Sequence, residues 1–197
     1  MRILLLGPSR DGIMEYLLSF GDEVLHSEDK IQPVKLMDDN FDFIISYGYR
    51  YIIPKNVVNH YENRLINLHI SYLPWNKGAD PNFWSFLDNT PKGITIHYID
   101  EGLDTGDIIA QEEIVFLENE TLASSYQKLV LEIKKLLLEA WPIIRSGKNK
   151  RNKQLGTGSY HRLKDKEVYL DLLNDGWDTP VSYLTYAVKR GETNERN

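Results

Sequence analysis

Three side chains have the types and spacing to do chemistry together. Asn67 and His69 sit two residues apart in Leu65 to His69, an otherwise apolar stretch with the composition of a strand. Residues two apart in a strand point to one side, so the amide and the imidazole would face one site. A second such stretch, Gly93 to Ile99, runs into a Gly/Asp turn that carries Asp104. An imidazole moves protons near neutral pH. An amide N–H stabilises a developing oxyanion. A carboxylate beside an imidazole fixes its tautomer and favours its charged form. No serine or cysteine is placed as a nucleophile, so the set suits acyl transfer to a substrate that brings its own, such as an amine. A strand histidine is also met as a satisfied structural residue, and spacing alone leaves both readings open. His97, near the site in sequence, reads as structural. No metal-ligand spacing is present.

The elements that must position these groups follow from periodicity. Arg2 to Leu6 is a short apolar strand closed by Gly7-Pro8. Ser9 or Asp11 would cap a helix over Gly12 to Phe20. Glu23 to His26 is a second strand, so the chain starts as a βαβ unit of a parallel sheet. Its first turn lacks the G-x-G-x-x-G pattern, which leaves a nicotinamide site unsupported. Phe41 to Ser46 is apolar nearly throughout, as a strand covered on both faces would be. Pro54 opens a short helix to His60, and Pro81 another to Leu87 with Asp80 as its cap. Gly93 to Ile99 and Asp107 to Val115 are further strands. From Thr121 to Ile144 apolar residues recur at three and four, the longest helical signal. Arg145, Lys148, Lys150, Arg151 and Lys153 then form a basic run without an acid, read as a solvated linker face. Asp178 or Thr179 would cap a last helix, Val181 to Lys189.

Composition bounds the function classes. The 197 residues suffice for one sizeable core. The absence of cysteine excludes disulfides and thiolate chemistry. A net charge of −6 weighs against a nucleic-acid partner, which needs Lys and Arg against phosphate. No apolar run has the length of a membrane span, and the first apolar run is too short for a secretory leader. A cytoplasmic location is expected. Asn119-Glu120-Thr121 would then go unglycosylated.

The stretch from Leu65 to Gln111 resembles the formyltransferases that use N10-formyltetrahydrofolate. Asn67-Leu68-His69 looks like that family's Asn-x-His pair, and Ser71-Tyr72-Leu73-Pro74 like its Ser-x-Leu-Pro step. Lys77-Gly78 looks like its basic-Gly step, and Asp104-Thr105-Gly106-Asp107-Ile108 like its D-x-G-x-I loop. The likeness runs from Met1 to about Trp141. Ile70 departs from it where many members have Pro or Gly. The resemblance implies an α/β, Rossmann-like formyltransferase fold: a mostly parallel twisted sheet with flanking helices. It also implies N10-formyltetrahydrofolate as formyl donor. Asn67 would hold the formyl oxygen, His69 would polarise the intermediate or shuttle the amine proton, and Asp104 would orient His69 and sit near the pterin. The folate site would be built from Tyr49, Arg50, Tyr51 and Ile53, and from Asp100, Glu101, Gly102, Leu103 and Asp104.

Within the family, the stretch from Trp75 to Trp84 and the segments 159–161 and 176–181 look like the sugar-nucleotide branch. The expected acceptor is a nucleotide-linked amino sugar, a dTDP-3-amino-3,6-dideoxyhexose or a 4-amino isomer, for O-antigen or lipopolysaccharide. Ser71, Trp75, Asn76, Lys77, Tyr160 and Trp177 are its candidate contacts. Lys77 would meet pyrophosphate, and an aromatic would stack on the base. Methionyl-tRNA formyltransferases resemble a longer design with a basic C-terminal domain, for which the residues after Ser146 are too few. Phosphoribosylglycinamide formylation, and a folate-binding protein without turnover, remain as alternatives. The organisation expected is a catalytic domain over residues 1–146 and a short C-terminal extension over 147–197, with a hairpin and a helix. A homodimer is expected, and no membrane or nucleic-acid partner.

Overall fold

The computed structural model describes residues 1–9 and 12–186. The Asp11 cap and the end of the last helix lie outside the described residues. β1 (Arg2–Leu6) pairs in parallel with β2 (Glu23–Ser27) on one side and β3 (Phe43–Ser46) on the other. β3 pairs in parallel with β4 (Leu65–His69). β6 (Gly93–Tyr98) and β7 (Ile108–Glu113) complete a six-stranded sheet ordered β2-β1-β3-β4-β6-β7. α1 (Ile13–Leu18), α2 (Pro33–Asp38) and α3 (Lys55–His60) make the connections. This is the Rossmann-like, mostly parallel arrangement that the βαβ start implies. α2 has no counterpart in the sequence reading. It is one and a half turns long, buries only Leu36, and so is too short to show a period.

The chain divides into two compact units. The first comprises Met1–His69, Ile96–Ala110 and Lys134–Gln154; the second comprises Ile70–Thr95, Gln111–Ile133 and Leu155–Asn197. The division does not fall at Ser146: residues up to Gln154 belong with the first unit. In the first unit Leu4, Leu6, Leu36, Phe41, Ile44, Val57, Val58, Tyr61 and Leu65 form a buried cluster. Each such side chain contributes about 1.5–3 kcal/mol by leaving water. Tyr49, Ile53 and Ile99 pack against this cluster and root the loops that follow β3 and β6.

In the second unit α4 (Pro81–Leu87) is buried along Asn82 to Leu87. Phe83, Trp84, Phe86 and Leu87 pack with Leu122, Val181 and Leu184. The expected C-terminal hairpin is not formed among the described residues. β8 (Tyr160–His161) instead pairs in parallel with the two-residue β5 (Lys77–Gly78). Gly78 has φ +89°, and a Cβ there would meet His161 O at 2.3 Å, so this ladder needs glycine. Two 3-10 helices, Leu163–Leu172 and Gly176–Asp178, follow.

α5 (Leu122–Arg145) contributes its first half to the second unit and its last half to the first. Ser124 and Thr121 cap its start reciprocally, each backbone N–H donating to the other's hydroxyl at 3.2 and 2.9 Å. At its end Arg145 forks onto the buried Asp22 carboxylate at 2.6 and 3.1 Å, and the Met1 amino group donates to it at 2.6 Å. The guanidinium holds the Asp22 carboxyl below the usual carboxylate range. A lowered folded pKa stabilises the fold fully above the unfolded value of about 3.9 and loses that contribution as pH falls through the lowered one. Asp22→Asn is therefore expected to lower the calorimetric unfolding temperature at pH 7, with the gap to the native protein closing as pH drops below about 4. A gap that does not change with pH contradicts this assignment.

Candidate active site

β4 is apolar except at Asn67 and His69, which its alternation turns to one side; of its five residues only Asn67 is less than fully buried. Ile99 N–H donates to Leu65 O at 3.0 Å, and two residues inward on each strand Asn67 and His97 face each other. The loop after β6 returns Asp104 to the same place. Its Oδ1 accepts from Asn67 Nδ2 at 3.2 Å and lies 3.5 Å from His97 Nε2. Its Oδ2 lies 3.8 Å from His69 Nδ1. The three residues proposed for chemistry thus meet, all within the first unit. The His69–Asp104 separation is an ion-pair distance, longer than a hydrogen bond. The expected direct orientation of His69 by Asp104 is in this state electrostatic.

The cluster is nearly closed to solvent, with side-chain exposures of 8% for His69, 10% for Asp104 and 1% for His97. Charges interact strongly in such surroundings. His97, read from the sequence as structural, is therefore part of the site. The only signal for it was its place two residues from Ile99, the strand's expected end.

The turn that carries Asp104 is held from several directions. Asp104 itself has φ 52°, a left-handed conformation that a short polar side chain tolerates. A Cβ on Gly106 would lie 1.8 Å from Tyr98 O, so the backbone can close here only on glycine. Asp100 Oδ1 accepts from Gly102 N–H at 3.0 Å and from Thr105 Oγ1 at 2.6 Å. Gln154 Nε2 donates to Asp104 O and Gly106 O at 2.8 and 2.9 Å. Arg151 and Lys153 neutralise Asp107 at 3.3 and 2.8 Å. The basic run after α5, expected to be a solvated linker, thus supports the turn that carries Asp104. Nothing in the sequence marked Gln154 for this.

The residues expected to hold folate lie on two neighbouring loops of the first unit. Lys55 and Glu101 pair at 2.6 Å, and Ile53 and Ile99 share one core cluster. Asp100 is spent on the turn, and Glu101 on Lys55. Tyr49 donates its hydroxyl to Asp29 O and accepts from Ile31 N–H, both at 2.9 Å, and its ring meets Tyr51 edge-on. Burial pushes the Tyr49 hydroxyl pKa up. Tyr49 is a structural post in this loop. Arg50, Tyr51, Ile52 and Leu103 are exposed, so three apolar side chains present themselves to solvent on these loops.

The acceptor candidates lie in the second unit. Ser71 donates to Trp75 O at 2.7 Å and is buried. Asn76, fully buried, donates to Thr90 Oγ1 at 2.8 Å and accepts from Ser159 Oγ at 3.1 Å. These two hold the loop rather than offer themselves to a ligand. Lys77 donates to Thr157 O at 3.1 Å, a neutral partner, and stands in register with the exposed Tyr160. Trp75 is half-buried; Trp177 is exposed with its edge on Tyr126 at 5.6 Å. His161, not named among the expected contacts, stacks on Trp84 at 3.9 Å and pairs with Asp88 at 2.8 Å.

Residues 23–141 match the formyl transferase family. The chain belongs to that family. The enzyme class read from the motifs is the class of this family. A methionyl-tRNA formyltransferase from Clostridium botulinum is 30% identical over 199 residues, covering 95% of this chain and 64% of that one. One from Fusobacterium nucleatum is 38% identical, covering 63% of this chain and 40% of that one. The chain thus spans less than two thirds of these curated relatives. The solved formyltransferase PseJ from Anoxybacillus kamchatkensis is 58% identical with a TM-score of 0.91, covering 93% of this chain and 97% of that one. It was solved in complex with UDP-4,6-dideoxy-4-formamido-L-AltNAc and tetrahydrofolate. A 4-N formyltransferase from Francisella tularensis, 24% identical with a TM-score of 0.75, covers 94% of this chain and 86% of that one and bears on the fold alone. Among the described residues no helix is long and apolar enough to cross a membrane, and no group of three or more His, Cys, Asp or Glu is placed to hold a metal.

The tightness of the turn gives a direct test. Gly106→Ala forces a shift of Tyr98 or of the turn and is expected to cost about 1–3 kcal/mol in denaturant unfolding. A loss under about 0.5 kcal/mol, within the usual range of surface changes, contradicts the packing.

Proposed function

We propose that the chain transfers a formyl group from N10-formyltetrahydrofolate to the amine of a nucleotide-linked amino sugar. The observation that carries this reading is the meeting of Asn67, His69 and Asp104 in one buried cluster at the end of β4. The 58% identity to PseJ supports it. The amine nitrogen attacks the formyl carbon, a C–N bond forms, and negative charge gathers on the formyl oxygen. An Asn67 N–H answers that charge. Collapse breaks the bond from the formyl carbon to N10. The amine loses a proton and N10 gains one, and His69 is the group that carries it, with the Asp104 carboxylate stabilising its charged form. The loops over 49–53 and 100–104 form the donor cradle, with Tyr51, Ile52 and Leu103 as an apolar surface for the pterin.

Lys77 is the acceptor's phosphate contact in this reading. Among the described residues no carboxylate pairs with it, and its hydrogen-bond partner is a neutral carbonyl. Tyr160, opposite it in the ladder, is the stacking platform for the base. The amine and nucleobase follow PseJ better than the dTDP-linked 3-amino sugar of O-antigen synthesis expected above. A UDP-linked 4-amino sugar is the first acceptor to try. Leu163, Val168, Leu170 and Trp177, exposed in the second unit, support a homodimer. A cytoplasmic location belongs to the same reading.

Incubation with N10-formyltetrahydrofolate and a panel of acceptors, read by mass spectrometry, is expected to add one CO to a UDP- or dTDP-amino sugar. Formylation of methionyl-tRNA or glycinamide ribonucleotide alone overturns the acceptor assignment; tight folate binding with no acceptor formylated overturns the enzyme reading. His69→Ala and Asn67→Ala are expected to lower kcat about a hundred- to ten-thousandfold. Lys77→Ala should raise the acceptor KM with donor affinity unchanged, and the reverse pattern moves Lys77 to the donor site.

A further inference from the structure

His97 is almost completely buried, and both its ring nitrogens are engaged. Nδ1 lies 2.8 Å from Tyr98 O. A carbonyl only accepts, so Nδ1 carries the hydrogen and Nε2 of the neutral ring is left with its lone pair. That lone pair points at Asn67 Nδ2, 3.3 Å away. The same amide nitrogen lies 3.2 Å from Asp104 Oδ1. An amide nitrogen has two hydrogens, and here two acceptors stand where they point. A flipped amide would set its oxygen against the Asp104 carboxylate and the His97 lone pair, leaving acceptor against acceptor. A protonated Nε2 would set donor against donor at Asn67, and its other neighbour, Asp104 Oδ1 at 3.5 Å, is farther off than an ordinary N–H···O bond reaches.

We propose that His97 is a positioning residue: as a neutral Nδ1–H imidazole it accepts from Asn67 and, with Asp104, fixes the amide's plane so that its nitrogen faces the reacting centre. The inference rests on the formyl-transfer reading above. One carboxylate contact fixes the end of the amide group but leaves it free to rotate about that contact. The second contact removes this freedom. The bond to a neutral imidazole is weaker than one to a charged oxygen. It is therefore the one that gives way when the formyl oxygen acquires negative charge. The Asn67 N–H is thus held in place before substrate arrives and released toward the oxyanion as it forms, which is preorganisation of the kind that lowers barriers.

A double-mutant cycle tests this. His97→Leu removes the acceptor and is expected to lower kcat about ten- to a hundredfold with acceptor KM and folate affinity little changed. His97→Gln, whose side-chain oxygen reaches the place of Nε2, is expected to restore most of that loss. In an Asn67→Ala background His97→Leu should change kcat less than twofold, because the group it positions is gone. Additive losses, or no restoration by glutamine despite cooperative unfolding of the variant, overturn the proposal. A readout independent of activity is nitrogen NMR of the folded native chain: the Nδ1–H tautomer of His97 is expected, and an Nε2–H tautomer overturns the proposal. If the native chain formylates no acceptor while the tautomer is as expected, the formyl-transfer reading fails and the local geometry stands.

Discussion

A carboxylate that is nine-tenths withdrawn from water costs several kcal/mol unless its oxygens are answered, and Asp104 is such a group. The organisation of the first unit turns on that requirement. Asn67 donates to one oxygen, and His69 stands at ion-pair distance from the other. To bring the carboxylate there the chain accepts a left-handed residue at Asp104 and a backbone approach at Gly106 that no other side chain permits. Gln154, Asp100, Arg151 and Lys153 then stiffen the turn from outside the cluster. The cost is offset locally, and the result is a set of donors and acceptors fixed before any ligand arrives.

The second unit solves a different problem by similar means. Lys77 and Tyr160 belong to segments far apart in sequence and are brought into register by a ladder of two residues on each strand. So short a ladder is weak alone. The stack of His161 on Trp84, the His161–Asp88 pair and the Lys166–Asp80 pair at 2.8 Å supplement it. Asn76 and Ser71, buried and bonded within the unit, hold the loop from which Lys77 projects. The side chains expected to meet an acceptor therefore divide into those that shape the loop and those that remain exposed on it.

What was legible beforehand was what repeats locally. β1, β4 and α4 fall at their expected bounds because a Gly-Pro stop closes the first, polar–apolar alternation marks the second and a proline opens the third. The pairing of Asn67 with His69 followed from strand geometry, whereas the Gly/Asp turn made Asp104 only a candidate carboxylate and the resemblance gave it a role, since a loop residue has no period. α2 was missed for its brevity, and the β5–β8 ladder because its partners are far apart in the chain and neither is a strand alone. His97 looked structural because burial and function predict the same residue type in a strand; only the contact with Asn67 separates them. The basic run after α5 looked like solvated linker because charge shows in sequence and the acid it neutralises does not.

The account stands or falls on whether the buried Asp104 cluster carries out the transfer step itself. Rapid-quench single-turnover transfer from N10-formyltetrahydrofolate to a UDP-linked 4-amino sugar, with both ligands saturating, isolates that step. The native chain is expected to complete the transfer, and Asp104→Asn to slow it at least about a hundredfold while still binding both ligands. An Asp104→Asn variant that transfers as fast as the native chain would contradict the account.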